Sequence, residues 1–162
     1  MKGRYLILWL VALLSLGVVN GLVYQRERLA ASGQVVFLKL APVDSRSLIQ
    51  GDYMRLRYDI SGEVERDSAA RDGFIVVQLD DNNFAHYVRI YDPKTPLADG
   101  ELLLRYRRRA FDVRIGPESF FFQEGQAHYY DNAQYGELRI SPNGDVLLVG
   151  LRGEHLERLG PP

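Results

Sequence analysis

The sequence predicts a mainly β domain attached to a single N-terminal transmembrane helix. Residues 5–24 carry no charge and are followed at once by charged side chains. After residue 33, apolar and polar residues alternate in short runs separated by turn-forming residues, which is the pattern of antiparallel strands. We therefore expect a β-rich sandwich or partly open barrel with one short helix, in addition to the N-terminal transmembrane helix.

The composition is that of a globular protein and excludes several classes of function. Of the 162 residues, 46% are hydrophobic and 25% are charged, so the part beyond the apolar run has the size and composition of one ordinary domain. The 20 basic and 21 acidic residues give a formal charge of -1, which argues against a nucleic-acid partner. The absence of cysteine excludes disulfides and thiolate chemistry.

The N-terminal segment divides into a basic start, an apolar run and a polar exit. We expect a cytoplasmic N-terminus at residues 1–4, a transmembrane anchor at 5–24, a juxtamembrane linker at 25–33 and an exported domain at 34–162. Twenty helical residues rise about 30 Å, the thickness of the hydrocarbon core. The apolar run is longer than that of a signal peptide and lacks a small-residue cleavage site, so an uncleaved anchor is favoured over a cleaved signal.

Small residues on the predicted anchor are candidates for helix packing in the bilayer. Gly17 and Gly21 are four residues apart, with Asn20 beside them. This spacing lets a second helix approach closely, and an asparagine side chain can hydrogen-bond across the contact. The alternative is the general abundance of glycine in membrane helices.

Eight strands and one helix are predicted beyond the anchor. The strands lie at residues 34–40, 53–60, 74–80, 84–91, 101–107, 111–115, 135–140 and 146–151. The residues Asp81–Asn83 and Ser141–Asp145 are typical of hairpin turns. The helix is expected at about Glu124–Gln134.

Residues 51–58 read Gly-Asp-Tyr-Met-Arg-Leu-Arg-Tyr. The fixed positions of this G-D-Y-x-x-L-x-Y pattern are Gly51, Asp52, Tyr53, Leu56 and Tyr58. With this motif, the approach Pro42–Leu48 and the segments Phe120–Gly125 and Tyr135–Glu137, the chain resembles the GDYXXLXY family of bacterial membrane-anchored proteins. The resemblance implies a single-pass protein of the inner membrane, a domain facing the periplasm or cell exterior, and association with a multi-span integral membrane protein. It implies no established activity.

The alternation within the motif separates a buried face from an exposed one. Met54, Leu56, Tyr58 and Ile60 share one face and are expected in the core. The opposite face carries Tyr53, Arg55 and Arg57, which makes it a candidate contact surface. A purely fold-specifying role of the Gly-Asp turn is the alternative.

Two further candidate sites involve the segment after residue 119. Glu124 and His128 are four residues apart, so on a helix they would share a face and with Asp52 could form an acid–base cluster of an envelope enzyme. A solvated Glu–His pair is the simpler interpretation. The aromatic residues Phe120–Phe122 and Tyr129–Tyr130 could instead line a small-ligand pocket or fill the core.

No cofactor and no metal site are expected, since no two histidines have the spacing of a zinc site. The basic cluster Arg105, Arg107, Arg108 and Arg109 is interpreted as a solvated strand edge, with an anionic partner or a lipid headgroup as the alternative. We therefore expect a non-enzymatic module that contacts the lipid bilayer through its helix and docks onto an integral membrane partner. The candidate contact residues are Tyr53, Arg55, Arg57, Glu124 and His128.

Overall fold

The N-terminal helix is long, and most of it stands clear of the β domain. A computed structural model of the protein describes residues 2–41, 53–109 and 112–161. Helix α1 runs over Lys2–Ser32, so the predicted juxtamembrane residues up to Ser32 are helical. Within it, Ile7–Ser32 is long and apolar enough to cross a membrane, and none of its most apolar window is buried.

The end of α1 is fixed to the β domain through Gly33. The amide of Gly33 donates to the carbonyl of Leu29 at 2.9 Å, which closes the last helical turn. The Gly33 carbonyl accepts a hydrogen bond from Arg139 Nη1 at 3.3 Å. A Cβ at position 33 would lie 2.6 Å from the Leu29 carbonyl oxygen, so the chain can turn this tightly only at a glycine.

The rest of the described residues contain nine strands and two short helices, joined by turns and loops. In chain order they are β1 (Gln34–Lys39), β2 (Tyr53–Arg55), α2 (Ser61–Asp67), β3 (Asp72–Leu79), β4 (Ala85–Ile90), β5 (Glu101–Arg109), β6 (Asp112–Ile115), β7 (Ser119–Phe121), a 3₁₀-helix (Ala127–Tyr130), β8 (Tyr135–Ile140) and β9 (Val146–Arg152).

The strands form three antiparallel sheets with the orders β1-β8-β9, β2-β7 and β4-β3-β5-β6. Isolated bridges join them: Phe37 pairs with Phe84, and Leu40 with Tyr58. The fold is mainly β with a half-barrel sheet, which confirms the predicted class. Turn residues 80–84 connect β3 to β4, and residues 141–145 connect β8 to β9, so both predicted hairpins are present.

Two hydrophobic clusters form the core. The larger takes alternate side chains from β1, β3, β5, β6 and β8, together with α2 and Tyr58. The smaller contains Met54, Leu56, Tyr130 and Leu151, against which the rings of Phe120 and Phe122 pack. The residues leading from β2 to α2 therefore contribute to both clusters.

A buried carboxylate links β8 to β9. Glu137 is only 7% exposed, at a register shift between the two strands. Its Oε2 accepts a hydrogen bond from Arg152 Nε at 2.8 Å, and Arg139 Nη2 lies 3.9 Å from its Oε1. Arg152 also donates to the Leu156 carbonyl at 3.3 Å. Burial of this charge is tolerated because two guanidinium groups face it.

The predicted helix at Glu124–Gln134 is wrong. Only Ala127–Tyr130 is helical there, as a single 3₁₀ turn. Gly125 takes a left-handed φ of 80° near the start, which a regular helix does not contain, and at the end the Gln134 amide donates to the Arg152 carbonyl at 2.9 Å, so that residue already runs beside β9. The short α-helix is α2 instead. It buries only Ser61 and Val64, so it is too short to show helical periodicity in the sequence.

Two strand predictions also differ from the structure. Residues 53–60 were expected to form one strand, but only Tyr53–Arg55 pair as β2, since the chain turns at Asp59 and Ile60 into α2. Strand β7 was not predicted. It has three residues and pairs with β2, so its partner is distant in the sequence and leaves no local signal.

Replacement of a core leucine should destabilise the domain strongly. Leu104 is 0% exposed, whereas Leu97 in the β4–β5 loop is 40% exposed. We expect Leu104→Ala to lower the free energy of unfolding by about 2–5 kcal/mol, through lost burial and a residual cavity. The matched change Leu97→Ala should alter it by about 0.5 kcal/mol or less. Urea unfolding of the detergent-solubilised chain measures both, and similar losses would contradict this core assignment.

Neutralising the buried carboxylate should also weaken the fold. We expect Glu137→Gln to lower the free energy of unfolding by about 1–3 kcal/mol, because Arg152 and Arg139 lose their charged partner. Glu154→Gln removes an exposed carboxylate in a turn and serves as the control. Equal midpoints for the two variants in thermal unfolding would show that the Glu137 charge contributes nothing.

Candidate functional site

The motif residues line a cleft of about 350 Å³, which we call the motif cleft. Its walls come from β2, β6, β7 and the start of α2. The lining residues are Tyr53, Arg55, Leu56, Arg57, Tyr58, Ser61, Asp112, Val113, Arg114, Ile115, Glu118, Ser119 and Phe121. Five of them are charged, so the cleft is more polar than a typical small-molecule pocket.

The alternation predicted for the motif is present. Met54, Leu56, Tyr58 and Ile60 are all buried. Their neighbours Tyr53, Arg55, Arg57 and Asp59 are exposed or half-buried. Three members of the predicted contact surface, Tyr53, Arg55 and Arg57, therefore lie at one cleft. Gly51 and Asp52 of the motif are outside the described residues.

Tyr58 forms the floor of the motif cleft. It is buried, and its hydroxyl donates to the Pro117 carbonyl at 3.2 Å. Burial raises the pKa of Tyr58 well above its usual value, because the phenolate would be poorly solvated. A Cβ at position 136 would lie 3.1 Å from the Tyr58 ring, so Gly136 makes room for this ring. The role of Tyr58 is therefore packing.

Most charges in the motif cleft are paired with each other. Arg57 Nη2 lies 3.0 Å from Glu65 Oε1, and Arg57 Nε lies 3.8 Å from Asp112. Arg114 Nε lies 3.6 Å from the same Asp112, and Arg114 also pairs with Glu118. Glu65 further accepts a hydrogen bond from the Val113 amide at 3.3 Å. These contacts tie α2, β6 and the motif together.

The outer edge of the motif cleft differs from the part with paired charges, because it exposes an aromatic ring beside an arginine. Phe121 is 74% exposed, the largest exposure of any large hydrophobic side chain in the described residues. Its ring lies 5.7 Å from that of Tyr53, its register partner across β2 and β7. Arg55 is exposed, and no described carboxylate lies within 4 Å of its guanidinium. We call Tyr53, Arg55 and Phe121 the aromatic rim.

Glu124 and His128 do not line the motif cleft. Glu124 lies in an exposed turn and His128 in the 3₁₀-helix. His128 Nδ1 lies 3.1 Å from the Gly125 carbonyl oxygen, and its ring lies 4.1 Å from that of Tyr129. These two members of the predicted contact surface therefore sit apart from Tyr53, Arg55 and Arg57. Among the described residues no hydrogen bond joins Glu124 to His128, and Asp52, the third member of the predicted acid–base cluster, lies outside the described residues.

The other aromatic residues of this segment fill the smaller core cluster. The Tyr130 ring packs edge-on against Phe120 at 5.0 Å and stacks on Phe122 at 5.3 Å. Only Phe121 and Tyr129 of the five rings are exposed. Among residues 2–41, 53–109 and 112–161, no group of three histidine, aspartate or glutamate side chains is placed to hold a metal ion.

The buried Tyr58 should make stability fall at alkaline pH. Its raised folded pKa keeps it protonated while the unfolded chain ionises above about pH 10, so stability is lost there at up to about 1.4 kcal/mol per pH unit. Tyr58→Phe loses the Pro117 hydrogen bond, worth about 1 kcal/mol at neutral pH. The variant has no hydroxyl to ionise at position 58, so its stability does not fall through this group at alkaline pH. Chemical unfolding from pH 8 to about 11 should show the two stabilities converging, and a constant difference would contradict the assignment.

Comparison with known proteins gives one match. The family model described as GDYXXLXY protein matches residues 15–151, which include most of α1, the motif and all nine strands except the last residue of β9. Neither the curated proteins nor the solved structures compared with the chain give a match. On the extent of the family match, the chain belongs to the GDYXXLXY family.

Proposed function

We propose that this protein is a membrane-anchored, non-enzymatic docking module of the bacterial inner membrane. In this proposal α1 spans the bilayer once and the β domain is held at the extracytoplasmic surface. The aromatic rim binds an integral membrane partner of several spans. The observation that carries the proposal is the 74% exposure of Phe121 on a strand whose register fixes its position.

The exposed apolar surface of α1 supports the anchor. Between Ile7 and Val23 its large apolar side chains are 50–69% exposed. Full burial of one such side chain is worth about 1.5–3 kcal/mol, and the described part of the β domain leaves them uncovered. The hydrocarbon core of a bilayer would cover all of these side chains. The basic residues that start the chain favour a cytoplasmic N-terminus.

The aromatic rim has the composition of a binding hot spot. Tyrosine, phenylalanine and arginine are enriched at the centres of protein–protein contacts. The rim is also rigid, because Tyr53 and Phe121 are paired in the β2–β7 ladder. A side chain that is already ordered loses little conformational entropy when a partner covers it. Contact with a protein partner therefore stabilises an exposed phenylalanine whose position is already fixed more than contact with water does.

The charges beside the rim indicate what the partner presents. Arg57 and Arg114 are already paired with Glu65, Asp112 and Glu118. Arg55 has no such partner among the described residues. A partner segment with an apolar side chain against Phe121 and a carboxylate against Arg55 therefore complements the surface.

A second contact within the bilayer is compatible with this arrangement. A Cβ at Gly17 or Gly21 would meet no atom within 4 Å, so this face of α1 is open to another helix. The Asn20 amide donates to the Leu16 carbonyl of its own helix at 2.7 Å. Small residues without a competing side chain permit close helix packing.

Recovery of the partner tests the aromatic rim directly. The full chain is extracted in mild detergent, and the associated multi-span membrane proteins are identified and confirmed by reciprocal capture. We expect Phe121→Ala and Arg55→Glu each to reduce recovery at least about tenfold, because hot-spot losses exceed about 1.4 kcal/mol. Tyr129→Ala and Arg71→Glu change an aromatic residue and an arginine at exposed positions outside the cleft, and should leave recovery unchanged.

Three results would separate the possible contacts. Loss of the partner only in a Gly17→Leu, Gly21→Leu variant would place the contact on α1 and contradict the role of the rim. Equal recovery of the partner in all variants would also contradict the role of the rim. A protein that is recovered alone from membranes at native expression would contradict docking altogether.

A further inference from the structure

A second concavity lies where the four-stranded sheet faces the exit of α1. Its volume is about 370 Å³, and we call it the arginine groove. Five arginines and two carboxylates line it, together with small residues of the neighbouring turns. The lining residues are Arg26, Arg105, Arg107, Arg109, Arg114, Gly116, Pro117, Glu118, Gly144, Asp145 and Val146.

The pleat of β5 sorts the arginine cluster into two groups. Arg105, Arg107 and Arg109 alternate along the strand, are all exposed and face the groove. Arg108 points to the other side, where it donates to the Glu65 carbonyl at 3.2 Å and to the Ser68 carbonyl. Three of the four clustered arginines are therefore available to a ligand, and the fourth holds α2 in place.

The positive charge of the groove is not compensated by its surroundings. Of the two lining carboxylates, Glu118 is paired with Arg114, which leaves Asp145 on the β8–β9 turn. Asp72 and Asp112 are register partners of Arg107 and Arg109. Even so, none of the described carboxylates lies within 4 Å of the guanidinium groups of Arg26, Arg105, Arg107 or Arg109.

With α1 spanning the bilayer as proposed above, the groove lies at the depth of the lipid headgroups. Arg26 follows the last residue of the apolar run, Tyr24, by two positions, so it lies about 3 Å further along the helix axis. The headgroup layer is about 5–7 Å thick on each side of the hydrocarbon core. In addition, the β8–β9 turn forms a shared concavity with α1 that includes Leu22 and Pro142. This side of the domain therefore reaches back to the membrane boundary.

We propose that the arginine groove binds the phosphate of an anionic lipid headgroup. Guanidinium groups form bidentate hydrogen bonds with phosphate oxygens, and basic side chains near an anionic bilayer surface are attracted to it. The assignment to a lipid and not to a free phosphate rests on Arg26, which lines the groove, and on Leu22, which lines the neighbouring concavity that also includes Arg26. It depends on the membrane anchoring proposed above, but not on the docking partner.

Native mass spectrometry of the full chain in neutral detergent tests the proposal. The chain is titrated with phosphatidylglycerol, with phosphatidylcholine of the same acyl chains, or with inorganic phosphate. We expect preferential binding of phosphatidylglycerol, weakened at least about tenfold in Arg105→Gln, Arg107→Gln, since each basic residue at the surface contributes severalfold. The double variant Arg71→Gln, Arg158→Gln carries the same change in net charge at exposed positions away from the groove and should bind normally.

A second variant guards against misfolding of β5. Arg26→Gln changes only α1 and should also weaken phosphatidylglycerol binding, whether or not the double variant of β5 folds. Equal binding of the two lipids, or equal weakening by both double variants, would overturn the proposal. Inorganic phosphate binding as tightly as phosphatidylglycerol would overturn the lipid assignment. Failure of the chain to incorporate into lipid nanodiscs would instead contradict the anchor, which separates the two proposals.

Discussion

The period-two alternation of residues 53–60 is the constraint on which the rest of the structure depends. Its buried half supplies both core clusters, with Met54 and Leu56 in the smaller and Tyr58 and Ile60 in the larger. Up to Tyr58, before the turn at Asp59 and Ile60 into α2, alternate side chains point in opposite directions, so the other half of this stretch faces outward. The exposed position of Tyr53, Arg55 and Arg57 is thus a consequence of core packing, and any change of register would exchange the two faces.

The two concavities share a wall. Arg114 and Glu118 line both the motif cleft and the arginine groove, and their ion pair separates an aromatic surface from a basic one. The first has the chemistry of a protein contact and the second that of a phosphate contact. A domain held at a bilayer surface meets both kinds of partner at once, since membrane proteins and headgroups occupy the same layer. The proposed roles are therefore compatible in space.

The sequence predicted the fold better than the site, for a physical reason. Alternation and turn residues are local signals, so most of the strands, the two hairpins and the buried face of the motif could be predicted. Phe121 could not be identified in this way, because its exposure depends on the pairing of β2 with β7, more than 60 residues apart in the chain. The helix assigned to Glu124–Gln134 failed because Gly125 takes a left-handed conformation at its start and Gln134 is hydrogen-bonded to Arg152 beside β9 at its end. The strand-edge interpretation of the arginine cluster shows the same limit, since β5 lies between β3 and β6, and this order has no local signal.

Photo-crosslinking from position 121 tests the central claim most directly. A photoreactive phenylalanine analogue replaces Phe121 in the full chain in intact membranes, and another replaces Tyr129 as an exposed aromatic control. We expect a reproducible adduct with a multi-span membrane protein from position 121 that position 129 does not give. Adducts with lipid alone, or the same adducts from both positions, would contradict a protein-docking role for the aromatic rim.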